Sequence, residues 1–510
     1  MPDKGSHTGG EDSSSVSRRT FVKAAGAGGA MAGLAGCIYG DSGGNGGGGG
    51  NGSGGNGSGN GSGGGSGGTV RFGFDPVAAQ ENGDAIVQAL YDNGLSQDIN
   101  VQLVPGAQDT GTRRDNYNRA LRANENQPDM FLMDNGWVNI FIQRDLLQNL
   151  SQEAPSEVVD SVNNNYFEGF TATARAPESN DLYGVPVFPD FPTMQYRKDF
   201  AREAGYGDSD FETWATEPMT WQEWSQLTKE IQDATGTQYG FVTQWDVYEG
   251  TACCTFNEAL SSWGGAYFGG RDNLFGPVGE RPVTINEQPV VDSLRMMRTF
   301  VEGSNYNEAL DGYAGGIMPN AVTGWKEEDA RTAILEGQAV MQRNWPYAIA
   351  LNAAEDELGT DAYGAMPIPY AVTESEASQQ GTGGTTAALG GWHATVNPNS
   401  NNLEAVYQVL TAMTQDDFQL TLLEVQGWLP PKPALFDSQE AQDVPVLGEY
   451  MNTMKVAGEN TMPRPVTPVW PQQASTIAQE ANNVVSGSKS ASQAMSDLQG
   501  AIEQIENQGA

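Results

Sequence analysis

Asp181–Tyr206, DLYGVPVFPDFPTMQYRKDFAREAGY, sets two apolar runs around Pro186, Pro189 and Pro192. Prolines this dense fit neither a helix interior nor a central strand, so Val185 to Thr193 is predicted to cross open space between two packed bodies. The crossing is then a hinge. Phe188, Asp190 and Phe191 lie on it, which predicts aromatic faces and one carboxylate on the floor of an interlobe cleft.

On either side of the hinge the chain changes character. From Thr69 a strand pattern (TVRFGF) passes into a helix near Ala85 to Leu95, a strand at Ile99 to Val104, a helix at Arg113 to Ala123 and an apolar run at Asp129 to Met133. Strands and helices alternating at this spacing specify an α/β body with a mainly parallel sheet. Ligands of such sheets sit beyond the carboxyl ends of the strands, here Asp75, Asp109, Thr110 and the run Asp134, Asn135, Gly136, Trp137. Each of these residue types also caps helices or forms turns. Beyond the hinge helices and aromatics dominate. Thr220 with Glu223 three residues on is a capping box, and Gly390 to Val396 reads as a strand returning to the first body.

The chain has 510 residues with 64 Asp and Glu against 26 Lys and Arg, a formal charge of -38. That surface repels nucleic acid and anionic lipid and excludes binding by phosphate neutralisation. It suits very high salt, where charges a few ångströms apart are already screened. The acidity therefore marks a halophilic habitat. No D-x-D-x-D-G loop is present to make the chain a calcium binder.

Residues 17–23, SRRTFVK, precede a short Ala/Gly run that ends in Leu34-Ala35-Gly36-Cys37. The run is too short to span a bilayer. It resembles a twin-arginine export signal closed by a lipobox, which makes residues 1–36 a leader and Cys37 a lipid anchor on the extracytoplasmic face of the membrane. Residues 37–68, almost wholly Gly, Ser and Asn after Asp41, form a flexible tether with a reach of roughly 30 Å. Asn51, Asn56, Asn60 and Asn149 begin N-x-S triplets.

The succession YGVP, YRKD with AGY, TWQEW, YEG, GQAVMQRNWPY, GGWHATVNPNS, GWLPPKPALF and RPVTPVWP resembles the extracellular solute-binding proteins, family 1, of sugar ABC transporters, most of all the trehalose/maltose-binding branch. The resemblance spans about Thr69 to Ile505. It implies a two-lobe periplasmic-binding-protein-like α/β fold (type II) with crossings near Pro186, Gly391 and residue 440, an N-terminal lobe of 69–187 plus 393–438 and a C-terminal lobe of 188–392 plus 439–510. It further implies a sugar ligand, permease subunits with a separate ATPase, and a monomer without cofactor or metal.

A sugar site is expected on chemical grounds too. A pyranose offers an apolar face of C–H groups and a rim of hydroxyls, matched by aromatic plates and planar polar groups. Trp345, Trp392 and Trp470 sit beside Pro346, Gly391 and Pro471 rather than in helical stripes. By resemblance, Trp345 and Trp392 stack on the sugar, Asp134 and Asp190 bind hydroxyls, Arg464 is a binding arginine and Gly391 offers backbone. Phe188 stands where the family often has tyrosine, Asp109, Thr110 and Arg113 resemble a ligand-side loop, and Asp75 and Asn135 are further candidates.

Cys253 and Cys254 allow a vicinal disulfide in an oxidising compartment, but two buried thiols are the expectation, because the small ring of such a disulfide is strained. His393 is the only histidine outside the leader, so a multi-histidine metal centre is excluded and any histidine catalysis rests on it alone. No Walker loop is present. Two other functions fit the composition: a surface glycoside hydrolase with a carboxylate pair, and a receptor for another polyol-type solute such as glycerol phosphate.

Overall fold

The computed structural model describes residues 68–107 and 110–509. The export signal, Cys37, the tether and Asp109 lie outside the described residues. Eleven strands follow in chain order: β1 (Thr69–Phe74), β2 (Asn100–Pro105), β3 (Met130–Asp134), β4 (Gly184–Asp190), β5 (Thr193–Arg197), β6 (Tyr239–Val242), β7 (Ala339–Asn344), β8 (Tyr363–Met366), β9 (Ala387–Ala388), β10 (Gly390–Val396) and β11 (Thr461–Met462). They build an α/β protein of two lobes.

The first lobe holds a five-stranded sheet in the order β2-β1-β3-β10-β4. β1 pairs in parallel with β2 and β3, whereas β10 runs antiparallel between β3 and β4. Gly390 to Val396 thus returns to the first body as expected. Val70, Phe72, Met130, Leu132, Val185 and Ala394 give the sheet an apolar face that is covered by Val406 and Leu410 of helix Leu403–Met413. Burial of such side chains, about 1.5–3 kcal/mol each, is what holds the helices to it.

The second lobe holds a four-stranded sheet in the order β6-β7-β5-β8. Its core gathers Trp221 and Trp224 of helix Trp221–Thr235 with Phe241, Phe300 and Met341. That helix starts at the predicted capping box: Thr220 Oγ1 accepts from the Glu223 amide at 3.2 Å, and the Glu223 carboxylate accepts from the Thr220 amide at 3.1 Å. Each bond satisfies an N–H that the first helical turn leaves without a partner.

The proline-rich stretch corrects the sequence reading. Val185 to Asp190 does not cross open space; it belongs to β4, an edge strand, and the passage between sheets is only Phe191-Pro192. Edge strands tolerate proline because one side of the ladder needs no donor. The pairing of β4 with β10 skips Val187, a local bulge between Pro186 and Phe188. Neither aromatic lies on a cleft floor. Phe191 is fully buried with its ring 5.2 Å from that of Phe167, and Phe188 stacks on Trp428 at 4.0 Å. The expected lobe boundaries at 187/188 and 392/393 fall inside β4 and β10, which remain in the first sheet throughout.

Cys253 and Cys254 are a second correction. They form a vicinal disulfide in the π-helical turn Thr251–Thr255, buried in the second core. Among the described residues no helix is long and apolar enough to cross a membrane.

Candidate functional site

β3 ends at Asp134, and the turn behind it is built for close approach. The Gly136 amide donates to Asp134 Oδ1 at 2.8 Å. A Cβ on Gly136 would come within 3.0 Å of Arg464 Cδ, so a side chain there would push the arginine away. Asn135 is fully buried, donating its amide to Gly391 O at 3.0 Å and Nδ2 to Leu389 O at 2.9 Å. Its Oδ1 is left to accept from Arg464 Nη2 at 3.2 Å.

Arg464 arrives from the segment after β11. Nη1 lies 3.0 Å from Glu249 Oε1 and 3.5 Å from Asp134 Oδ1. Glu249 Oε1 also accepts from Trp470 Nε1 at 3.1 Å. One guanidinium therefore joins the end of the first sheet to the Tyr248–Glu249 loop beyond β6. Arg464 Nε is buried without a partner among the described residues, leaving a donor for a ligand oxygen.

A second group forms where β4 ends. Asp190 is opposite Gly390 of β10, and a Cβ on Gly390 would meet Asp190 Cβ at 2.9 Å and Trp345 Cζ3 at 3.1 Å. Only glycine lets the tryptophan of one lobe reach the carboxylate of the other. Trp345, half-buried, follows β7 and precedes Pro346 at the first turn of helix Pro346–Asn352. The Arg343 guanidinium lies 4.5 Å over its ring. Arg343 itself is held by Glu258, with Nε 2.8 Å from Oε2 and Nη2 on Oε1, and by Gln244 Oε1 at 3.2 Å from Nη1.

Trp392, half-buried in β10, pairs with Asp134 on one side and Phe188 on the other. Trp137 meets it edge-on at 5.3 Å, and the Arg113 guanidinium is 5.0 Å from its ring centre. Arg113, 2 % exposed, pairs with Asp75 at 3.2 Å and keeps Nη1 without a partner among the described residues. Asp75 also accepts from the Val77 and Ala78 amides, so it caps helix Pro76–Glu81 while orienting Arg113.

Burial sets the protonation of the two central carboxyls. Asp190 is pushed up to about 7 by desolvation, against the pull of Arg343 and with a further push from Asp134. Asp134 is raised by burial too, opposed by Arg464 and the Gly136 amide. A carboxyl raised in the folded state stabilises the fold below its unfolded pKa, and that contribution is lost as pH rises through the folded value. The stability of the ligand-free protein is therefore expected to carry a component that falls between about pH 4 and pH 7, and Asp190→Asn to remove that component. Urea unfolding of both proteins across this range measures the difference; parallel profiles would contradict it.

Asp134, Asp190, Trp345, Trp392, Arg113 and Arg464 are thus gathered at the ends of the strands. Other candidates fall elsewhere. Phe188 packs into the first core, Thr110 is exposed at the start of helix Thr110–Arg122, and Trp470 is 2 % exposed in the second core, reaching the site only through its Nε1. The Gly391 carbonyl is already taken by Asn135, and φ of +123° with Phe188 O 2.5 Å from a Cβ makes glycine obligatory there for packing. His393 is fully buried, stacked on Phe170 at 4.4 Å with Nε2 2.7 Å from Thr173 Oγ1, and burial lowers it to about 3. It is a neutral core histidine. Glu249, Glu258 and Arg343 were not foreseen as site residues, although Glu249 stands in YEG and Arg343 in the GQAVMQRNWPY run.

Residues 78–420 match the family model of the bacterial extracellular solute-binding proteins. A probable ABC transporter-binding protein of Deinococcus radiodurans is 25 % identical over 423 residues, covering 80 % of this chain and 87 % of the relative. Among solved structures, maltose-bound MalE3 of T. maritima is 23 % identical with a TM-score of 0.65, covering 86 % of this chain and 99 % of its own. The sugar-binding protein MalE of Xanthomonas citri is 19 % identical with the same TM-score of 0.65, covering 86 % and 98 %. A ribitol complex from Agrobacterium radiobacter is 15 % identical with a TM-score of 0.58, covering 86 % and 98 %. The chain belongs to the bacterial extracellular solute-binding proteins.

Proposed function

We propose that this chain is the receptor of an ABC importer that captures a neutral di- or oligosaccharide of the maltose or trehalose type and hands it to a membrane permease driven by a separate ATPase subunit. The observation that carries the proposal is the junction of Trp345, Gly390 and Asp190, with Trp392, Asp134 and Arg464 at the neighbouring strand ends. Half-buried indoles suit sugar faces, and the carboxyls and guanidinium donors suit hydroxyls. The cations Arg113, Arg343 and Arg464 are each answered by an acid, Asp75, Glu258 and Glu249 or Asp134, so the site has no surplus positive charge for a sugar phosphate. The T. maritima and Xanthomonas neighbours, which hold or are named for sugars, support the same class.

In this proposal Cys37 carries the lipid, the tether lets the body reach the permease, and export follows the twin-arginine route in a halophilic host. Ligand contacts from both lobes favour the closed state, the condition for binding to drive closure. A hydrolase remains the second reading for one reason: Asp190 raised to about 7 beside Asp134 is the environment of an acid and base pair.

A thermal-shift panel of maltose, trehalose, maltotriose, tagatose, ribitol and mannitol tests the class. One of the di- or oligosaccharides at 100 times its Kd is expected to add about 2.7 kcal/mol and to raise the unfolding midpoint. A shift with ribitol or mannitol alone would move the assignment to polyols, and glucose released from maltose would establish the hydrolase.

A further inference from the structure

In a chain with 26 basic and 64 acidic residues, one face concentrates arginine. Helix Thr110–Arg122 carries Arg114, Asn118 and Arg122 at successive four-residue intervals, hence along one stripe. Arg144, exposed just past helix Val138–Ile142, joins them, close enough for the charges of Arg122 and Arg114 to act on it. Among the described residues Arg114 pairs only with Asp115, at 3.1 Å and on a side chain 63 % exposed, a surface pair worth little in solvent.

Between Arg114 and Arg144 lies a recess of about 210 Å³ lined by apolar residues Ile140, Phe141, Pro468 and Pro471 and, beside Arg114, by its ion-pair partner Asp115. Asn118 also lines it, with a buried Oδ1 that has no partner. An apolar notch rimmed by arginines fits a side chain of a polypeptide flanked by carboxylates. A free phosphate would leave the apolar wall unused, and a flat anionic bilayer would meet the net charge of -38.

The chain segments that line the recess also lead directly out of the solute site. Ile140 and Phe141 follow the Asp134–Gly136 turn, and Pro468 and Pro471 follow Arg464, which binds that turn.

We propose that this face docks an acidic, extracytoplasmic polypeptide segment of the membrane partner that receives the solute. The identity of the partner rests on the importer function proposed above; the acidic chemistry rests on the arginine face. At about 1 M salt the Debye length is about 3 Å, so the recognition works at contact range, through direct pairing of positive side chains with carboxylates.

The test uses the full chain in its own cells, with a photo-crosslinker at an exposed rim position, Asp115→p-benzoylphenylalanine. The expected adduct maps by mass spectrometry to an Asp/Glu-rich segment of a membrane protein. It is expected to fall at least tenfold in Arg114→Glu/Arg144→Glu and to stay within threefold in Arg114→Lys/Arg144→Lys, with the unfolding midpoint and the sugar-induced shift of the purified variants unchanged. An adduct undiminished by charge reversal, one on phospholipid, one on a segment without acids, or no adduct at all would overturn the docking. Failure of the sugar assignment shows separately, as an intact adduct in a protein that no sugar in the panel shifts.

Discussion

Glu258→Ala is expected to destabilise the protein by about 3–5 kcal/mol, the cost of leaving a buried charge without its partner. The side chains of Arg343 and Glu258 are 1 % and 3 % exposed, and both oxygens of Glu258 are used: Oε2 accepts from Arg343 Nε at 2.8 Å, and Oε1 accepts from Arg343 and from the Ala388 amide at 3.0 Å. Losing the carboxylate thus strands a guanidinium and an amide together. The amide belongs to the strand that leads into Gly390, and the guanidinium lies over Trp345, so sugar affinity should fall with stability. Urea unfolding measures the loss. Replacing both partners by apolar residues of similar volume, Glu258→Leu with Arg343→Met, should recover much of the stability but not the affinity. A single variant as stable as the wild type would show that the pair does not organise this junction.

Trp345→Ala and Trp392→Ala are each expected to weaken sugar binding by about 1–3 kcal/mol, roughly 5- to 150-fold, from the loss of a large apolar face. Trp345 should act mainly on affinity, because it stands at a lobe end against Gly390 and Asp190. Trp392 should also cost stability, since Trp137 and Arg113 pack on it. Calorimetric titration separates the two effects. Unchanged affinity in both variants would remove the indoles from the site.

Much of this architecture was legible in the sequence wherever local pattern and tertiary role agree. Strand Gly390–Val396 lies where its pattern put it, and helices Gly83–Asp92 and Thr110–Arg122 lie within about three residues of the expected Ala85 to Leu95 and Arg113 to Ala123. The capping box at Thr220 was readable because it is complete within four residues. The proline-rich stretch was misread because proline spacing excludes a central strand but says nothing about which edge a strand takes, and Pro186 and Pro189 sit on an edge.

The same limit explains the tryptophans. Trp345 and Trp470 both precede a proline that opens a helix, so their neighbours are alike, yet one is half-buried at a lobe junction and the other is core. Depth is set by what packs from elsewhere in the chain. Glu249 and Glu258 were illegible for the same reason: their partners Arg464 and Arg343 are 215 and 85 residues away. Cys253 and Cys254 depended on the turn that holds them, which no spacing rule supplies.

The most direct test of a receptor that grips a carbohydrate between its lobes and releases it intact is calorimetric titration of the wild-type protein with whichever panel sugar gives the largest shift, followed by recovery of the ligand after denaturation. One sugar bound per chain and returned chemically unchanged is the predicted result. Glucose in the recovered fraction, or no heat with any sugar of the panel, would contradict it.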